Sequence, residues 1–139
     1  VFRKRDSIEA IDPQSNRDRG EPPVFDKEGV LRRMMNDHEL ATSIMKIYLG
    51  DMPRQIRALR EYSEARDADG AGRTAHSIRG AAANVGGERL RKAALETEEA
   101  ADAGKMDIVR EGIAGLEAEF LLLKAKLQEE WFAEHKQPL

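Results

Sequence analysis

The chain has 139 residues, enough for a single domain with its own core and too few for two ordinary ones. Charged residues make up 35%, aromatics 5% and apolar residues 40%, which suits helices packed through Leu, Ile, Met and Ala better than a sheet. The formal net charge of −3, with both signs interspersed, excludes a dedicated nucleic-acid binder, and the absence of cysteine excludes disulfides and thiolate metal sites.

No stretch approaches the roughly 18–20 consecutive apolar residues needed to cross a bilayer, and no signal peptide is visible at the start. The composition reads as a cytoplasmic domain without membrane contact. The chain begins at Val1 rather than Met and reads as a fragment of something longer. Residues 1–23 are rich in Arg, Asp, Glu, Ser, Asn and Pro, with Ile8 and Ile11 almost alone as hydrophobes. Such a stretch buries too little surface to offset its ordering entropy, so it is read as an interdomain linker, with a short helical turn around Asp6 to Ile11.

Residues 24–133 read as helices. Asp26 caps a short one to about Met35, with Phe25 before it as a hydrophobic staple. Asp37 caps a longer helix to about Arg66, with Leu40, Ile44, Ile47, Tyr48, Ile56 and Leu59 as its apolar positions. Pro53 inside this run predicts a kink near Leu49 or Gly50 rather than a break. Asp67 caps the next helix, which carries the stripe Ala71, Ala75, Ile78, Ala82 and Val85 and stops at Gly86-Gly87. A fourth helix runs from about Glu88 to Ala103, with Leu90, Ala94, Thr97 and Ala101 on one side and Gly104 as its stop. Asp107 caps the last, whose stripe Val109, Ile113, Leu116, Phe120, Leu123, Leu127, Trp131 is the strongest periodic signal in the chain. Long amphipathic helices joined by short turns pack as antiparallel neighbours. The expected fold is therefore all-α: an antiparallel four-helix bundle with a short additional N-terminal helix and a polar tail at 134–139.

The three histidines separate by position. His38 opens a helix just after its cap, and His135 lies in the tail; both read as idle. His76 instead misses the inward direction of its helix by roughly 140°, counting about 100° per residue, and so faces outward. Gly80 lies about 40° from it and Arg79 about 60°, with Gly72 and Ala83 also bordering it. Glycine in a helix interior costs about 1 kcal/mol relative to Ala, so Gly72 and Gly80 beside one imidazole leave it sterically open at some expense. On geometry alone, a surface histidine on a tightly packed Ala/Gly helix accounts for this equally well. The alternative is an open nucleophile: a neutral imidazole offers a lone pair near physiological pH, and Arg79 can neutralise a phosphoryl group. No His, Asp or Glu stands three or four residues on from His76, which argues against a metal site, and no acid on that helix is placed to orient the ring.

The run Ala75-His76-Ser77-Ile78-Arg79-Gly80-Ala81-Ala82-Ala83-Asn84-Val85-Gly86 resembles the signature of histidine-containing phosphotransfer (HPt) domains. In that family an accepting His is followed by an apolar residue, Lys or Arg, and Gly, then small residues and a second Gly. This chain matches at His76, Ile78, Arg79, Gly80 and Gly86; Asp67, Leu90 and the Leu95-Glu96 pair also fall at family positions. The similarity spans about Phe25 to Trp131. Arg79 replaces the commoner Lys, and Ala81 stands where Ser is frequent.

The resemblance implies that His76 accepts a phosphoryl group from a receiver-domain aspartyl phosphate and passes it to another receiver. Arg79 would stabilise its charge, Gly80 would give access, and Gly72, Arg73, Ala83 and Asn84 would border the docking face. It also implies a monomeric phosphocarrier without cofactor or metal of its own, the receiver supplying Mg²⁺ and carboxylates. The linker-like start points to a hybrid sensor kinase as parent. Two other readings are weighed: the phosphorylated N-terminal domain of a chemotaxis-type kinase, which usually carries an aromatic residue near the second Gly where this chain has Asn84-Val85, and a plain helical interaction module. For the latter, Met34, Met35, Met45 and Met52 could form an adaptable apolar surface, although such residues more often fill a core.

Overall fold

The computed structural model describes residues 21–134. Most of the expected linker, the turn around Asp6 to Ile11, His135 and most of the tail lie outside the described residues. Five helices follow in order: α1 (Lys27–Arg33), α2 (His38–Glu64), α3 (Ala68–Asn84), α4 (Glu88–Asp102) and α5 (Met106–Leu127), the last continued by a π-helical turn (Gln128–Phe132).

Three of the expected caps form. Asp26, Asp37 and Asp67 each accept a hydrogen bond from a backbone N–H three residues on, at 3.1, 3.0 and 3.0 Å, satisfying donors that a helix start leaves unpaired. Asp107 does not cap α5: Lys105 precedes the helix without a side-chain bond, and Asp107 lies inside the first turn. There its carboxylate still complements the positive end of the helix dipole. Turns close through left-handed residues: Gly86 and Gly104 at φ +75°, and Arg66 at φ +55°.

Helices α2 to α5 form a closed four-helix arrangement, each packed on its sequence neighbour and α2 on α5. The α3 stripe is completely buried, as are the expected inward residues of α4 and the whole α5 stripe through Trp131. In the π-helical turn Ala133 donates to the carbonyl of Gln128, five residues back, at 3.1 Å. This widened turn brings Phe132 inward beside Trp131.

On α2 the buried face is Ala41, Thr42, Met45, Tyr48, Met52, Ile56, Leu59 and Ser63, while Leu40 and Ile47 are exposed. The stripe expected from large aliphatics is thus rotated toward Met45 and Met52, whose flexible side chains fill the centre. Of the methionines, only Met35 is strongly exposed, so no methionine surface exists. The helix runs unbroken across Pro53. His38 stacks on Trp131 with ring centroids 5.5 Å apart, and the indole Nε1 donates to Thr42 Oγ1 at 2.8 Å. The segment before α1 also sits on the bundle. Asp26 N–H donates to Gly86 O at 2.7 Å, and Arg89 N–H donates to Pro23 O at 3.2 Å.

Candidate functional site

His76 lies on the outer side of α3 with 64% of its side chain exposed. Burial of Ala71, Ala75, Ile78 and Ala82 leaves it no other orientation, because those four residues take the inward face. Gly80, one turn on, is exposed, and a Cβ built there would meet nothing within 4 Å. The space beside the ring is therefore open, as the sequence suggests.

Gly72 is different. It is buried, and a Cβ there would lie 3.1 Å from Asp102 Oδ1 and 3.7 Å from Ala101 Cβ. Its small size serves the close approach of α3 and α4. Arg73 and Asn84 are exposed and Ala83 half-buried; the Ala83 carbonyl accepts a bond from Arg33 Nη2 at 2.8 Å. Tyr48 and Met52 belong to the core. They floor a groove between α2 and α3 whose rim includes Ile44, Ile47, Asp51, Ala81 and Asn84.

The acid missing from α3 comes from α4. Glu98 Oε2 lies 2.9 Å from His76 Nδ1, and Glu98 Oε1 accepts from Arg79 Nε at 2.8 Å. Arg79 Nη2 also lies 2.9 Å from His76 Nδ1. Nδ1 is thus engaged, whereas Nε2 has no hydrogen bond among the described residues. Burial of Glu98 works to raise its pKa, but hydrogen bonds from Arg79 and His76 outweigh it, and the carboxyl lies below its ordinary range. Glu96, at the family position noted in the sequence, is on another face of α4.

A signal for Glu98 was present. Helices α3 and α4 fold back on each other about Gly86-Gly87, and residues at nearly equal distances from that turn, to within one position, face one another. Gly72 meets Ala101 and Asp102, and His76 meets Glu98. Three glutamates crowd this part of α4 (Glu96, Glu98 and Glu99), so sequence alone does not single out the one that meets the ring. Gly86 has a structural basis of its own: at φ +75°, any Cβ would lie 2.7 Å from Val30 Cγ2 and 2.8 Å from Asp26 O.

An all-α bundle with an open histidine on one helix fits the class of helical phosphotransfer modules. The Hpt domain family matches residues 43–129, well over half of the chain, and the chain belongs to that family. Its function is accordingly histidine phosphotransfer in the phosphorelays of two-component signalling; Hpt domains are phosphocarriers rather than catalysts and interact with receiver domains. Among solved structures, histidine-containing phosphotransfer protein B (HptB) from Pseudomonas aeruginosa PAO1 is similar, with a TM-score of 0.72 and 24% identity. The match covers 78% of this chain and 94% of that one, and at this identity it speaks for the fold. No curated protein matches the chain. Among the described residues, no helix is long and apolar enough to cross a membrane.

Proposed function

We propose that His76 is the phosphoryl-accepting residue, taking the group from a receiver's aspartyl phosphate and returning it to the aspartate of another receiver. The observation that carries this reading is the asymmetry of the ring: Nδ1 lies 2.9 Å from Glu98 Oε2, while Nε2 has no hydrogen bond among the described residues on a side chain that is 64% exposed. A nucleophile for in-line attack on phosphorus needs that open approach. Arg79 supplies positive charge one turn away for the equatorial oxygens. Nucleotide, Mg²⁺ and catalytic carboxylates are assigned to the partners, so the domain acts as a monomeric carrier without cofactor.

Arg73, Ala83 and Asn84 border the ring on the docking face, which extends toward the rim of the α2–α3 groove. We place the domain at 24–133, supported by the burial of Phe25 at one end and of Trp131 and Phe132 at the other. Residues 1–23 then form the linker to a hybrid sensor kinase, which holds the domain in the cytoplasm. Incubation with a phosphorylated receiver tests the acceptor. Acid-labile, base-stable label is expected on the wild type and none on His76→Gln with its helicity intact; equal labelling of both would overturn the assignment.

A further inference from the structure

The outer face of α5 carries an apolar patch that the described bundle leaves uncovered. Ala114, Gly115, Ala118, Leu121, Leu122 and Ala125 are all exposed, Leu121 by 63% and Leu122 by 46%. At about 100° per residue they fall within roughly 120° of arc, along about 17 Å of helix, with no charged side chain among them. Outward helix positions are ordinarily polar, and a contiguous apolar patch marks a contact surface. A Cβ on Gly115 would meet nothing within 4 Å, so the small residues leave a shallow channel beside the two leucines. Cations flank it: Lys92 on α4 beside Glu119, and Lys124 on α5 about 60° round from Leu121. Neither is in an ion pair among the described residues. Residues 21–23 lie next to this patch. Glu21 and Pro22 line a pocket with Arg89, Lys92 and Glu119, and Arg89 N–H donates to Pro23 O at 3.2 Å. Glu119 precedes Leu122 by one turn, and its Oε1 is buried without a hydrogen-bond partner among the described residues.

We infer that the acidic segment Asp6-Ser7-Ile8-Glu9-Ala10-Ile11-Asp12, outside the described residues, seats Ile8 and Ile11 on this patch of its own chain. The two isoleucines are almost alone as hydrophobes before Pro22, and three residues apart they share one face of the helical turn expected there. Asp6, Glu9 and Asp12 give the segment three negative charges and no positive one, opposite in sign to Lys92 and Lys124 at the margins of the patch. Ten residues separate Ile11 from Glu21, up to about 33 Å of extended chain, so the segment reaches Leu122 with length to spare. A tether this short holds it at an effective concentration in roughly the millimolar range, well above that of a second copy in dilute solution. The six residues of the patch also fall well short of the about 20–30 a side that a standing interface between proteins uses. Helix α5 packs on α2 and α4, whereas His76 faces outward from α3, so the seat lies across the bundle from that ring. Docking there keeps the tether away from the outward face of α3.

The chain has no cysteine, so an introduced pair reports proximity without competition. In the full chain, Ile11→Cys with Leu122→Cys should form an intrachain disulfide under mild oxidation about tenfold faster than Ile11→Cys with Ile47→Cys, whose second site is exposed on α2. Circular dichroism checks that both pairs keep their helicity. Adding Asp6→Lys, Glu9→Lys and Asp12→Lys to the first pair should slow its closure several-fold at low salt, and less at high salt. Equal rates for the two pairs overturn the inference, and so does a rate indifferent to the charge reversal. Disulfide-linked dimers in place of the intrachain product would assign the patch to a second copy and overturn it as well. Labelling of the cross-linked chain by a phosphorylated receiver should match that of its reduced form. Loss of label only on cross-linking would put the seat on the wrong side of the bundle.

Discussion

Arg79 Nε lies 2.8 Å from Oε1 of Glu98, so the guanidinium beside His76 is paired with a carboxylate of the neighbouring helix before any phosphoryl group arrives. Its charge is partly spent on that pair, and its contribution to transfer is the smaller for it. Arg79→Ala should slow labelling from a phosphorylated receiver by roughly tenfold, about 1.4 kcal/mol of barrier, without abolishing it. Complete loss of label would mean that Arg79 does more than lend charge.

The same pair has an acid signature. The Glu98 carboxyl lies below its ordinary range in the folded chain, because bonds from Arg79 and His76 outweigh its burial. A depressed carboxyl contributes stability above its unfolded pKa and loses it as pH falls through the lower folded value. The stability difference between wild type and Glu98→Gln should therefore be largest near neutrality and shrink below the ordinary glutamate range. Denaturant titrations across that range check the sign; a difference growing toward acid would contradict it.

Gly80 separates fold from function. With nothing within 4 Å of its missing Cβ, Gly80→Ala should stabilise the domain by about 0.5–1 kcal/mol through helix propensity. Gly80→Glu should leave helicity nearly unchanged while slowing transfer strongly, by bulk and by repulsion from the acidic pocket of a receiver. By contrast, Gly70→Ala puts a Cβ 2.3 Å from Tyr62 Cδ1 and should destabilise by about 1–3 kcal/mol through overpacking. Thermal melts of the three variants, with transfer assays on the Gly80 pair, test this contrast.

Thr42 links two elements distant in the chain: its hydroxyl donates to His38 O at 2.8 Å and accepts from Trp131 Nε1 at 2.8 Å. Thr42→Val keeps the shape and leaves a buried indole N–H without an acceptor, a cost of about 1–3 kcal/mol. Urea unfolding should show the loss. Trp131→Phe in the Thr42→Val background should cost less than in the wild type, because the orphaned donor has gone.

Tyr48 gives the opposite expectation. Its hydroxyl is buried without a hydrogen-bond partner, and burial pushes its pKa well up. The ring meets Phe120 edge-on at 6.2 Å. Tyr48→Phe keeps that contact and relieves an unmet polar group, so stability should be unchanged or rise by up to about 1 kcal/mol. A fall of more than about 1 kcal/mol would point to a partner for the hydroxyl.

Much of this domain was legible in the chain. The Asp26, Asp37 and Asp67 caps, the Ala71 to Val85 stripe, the Val109 to Trp131 stripe and the exposure of His76 and Gly80 all follow from periodicity and capping chemistry, which are local. The face of α2 was legible in its second half, where Tyr48, Ile56 and Leu59 are buried as expected, and not in its first turns. Leu40, Ile44 and Ile47 carry as much hydrophobicity as Met45 and Met52, and only the positions of α5 and the π-helical turn decide which set is covered.

Sequence by itself determined an all-helical chain with an outward histidine between small residues, because helical period and side-chain size are properties of neighbouring positions. Tertiary structure alone decided that Glu98 rather than Glu96 meets the ring, and that Gly72 serves the helix contact and not the open face. Both depend on how α3 and α4 settle against each other about Gly86-Gly87. That rotation is fixed by packing across the whole interface, and no single segment encodes it.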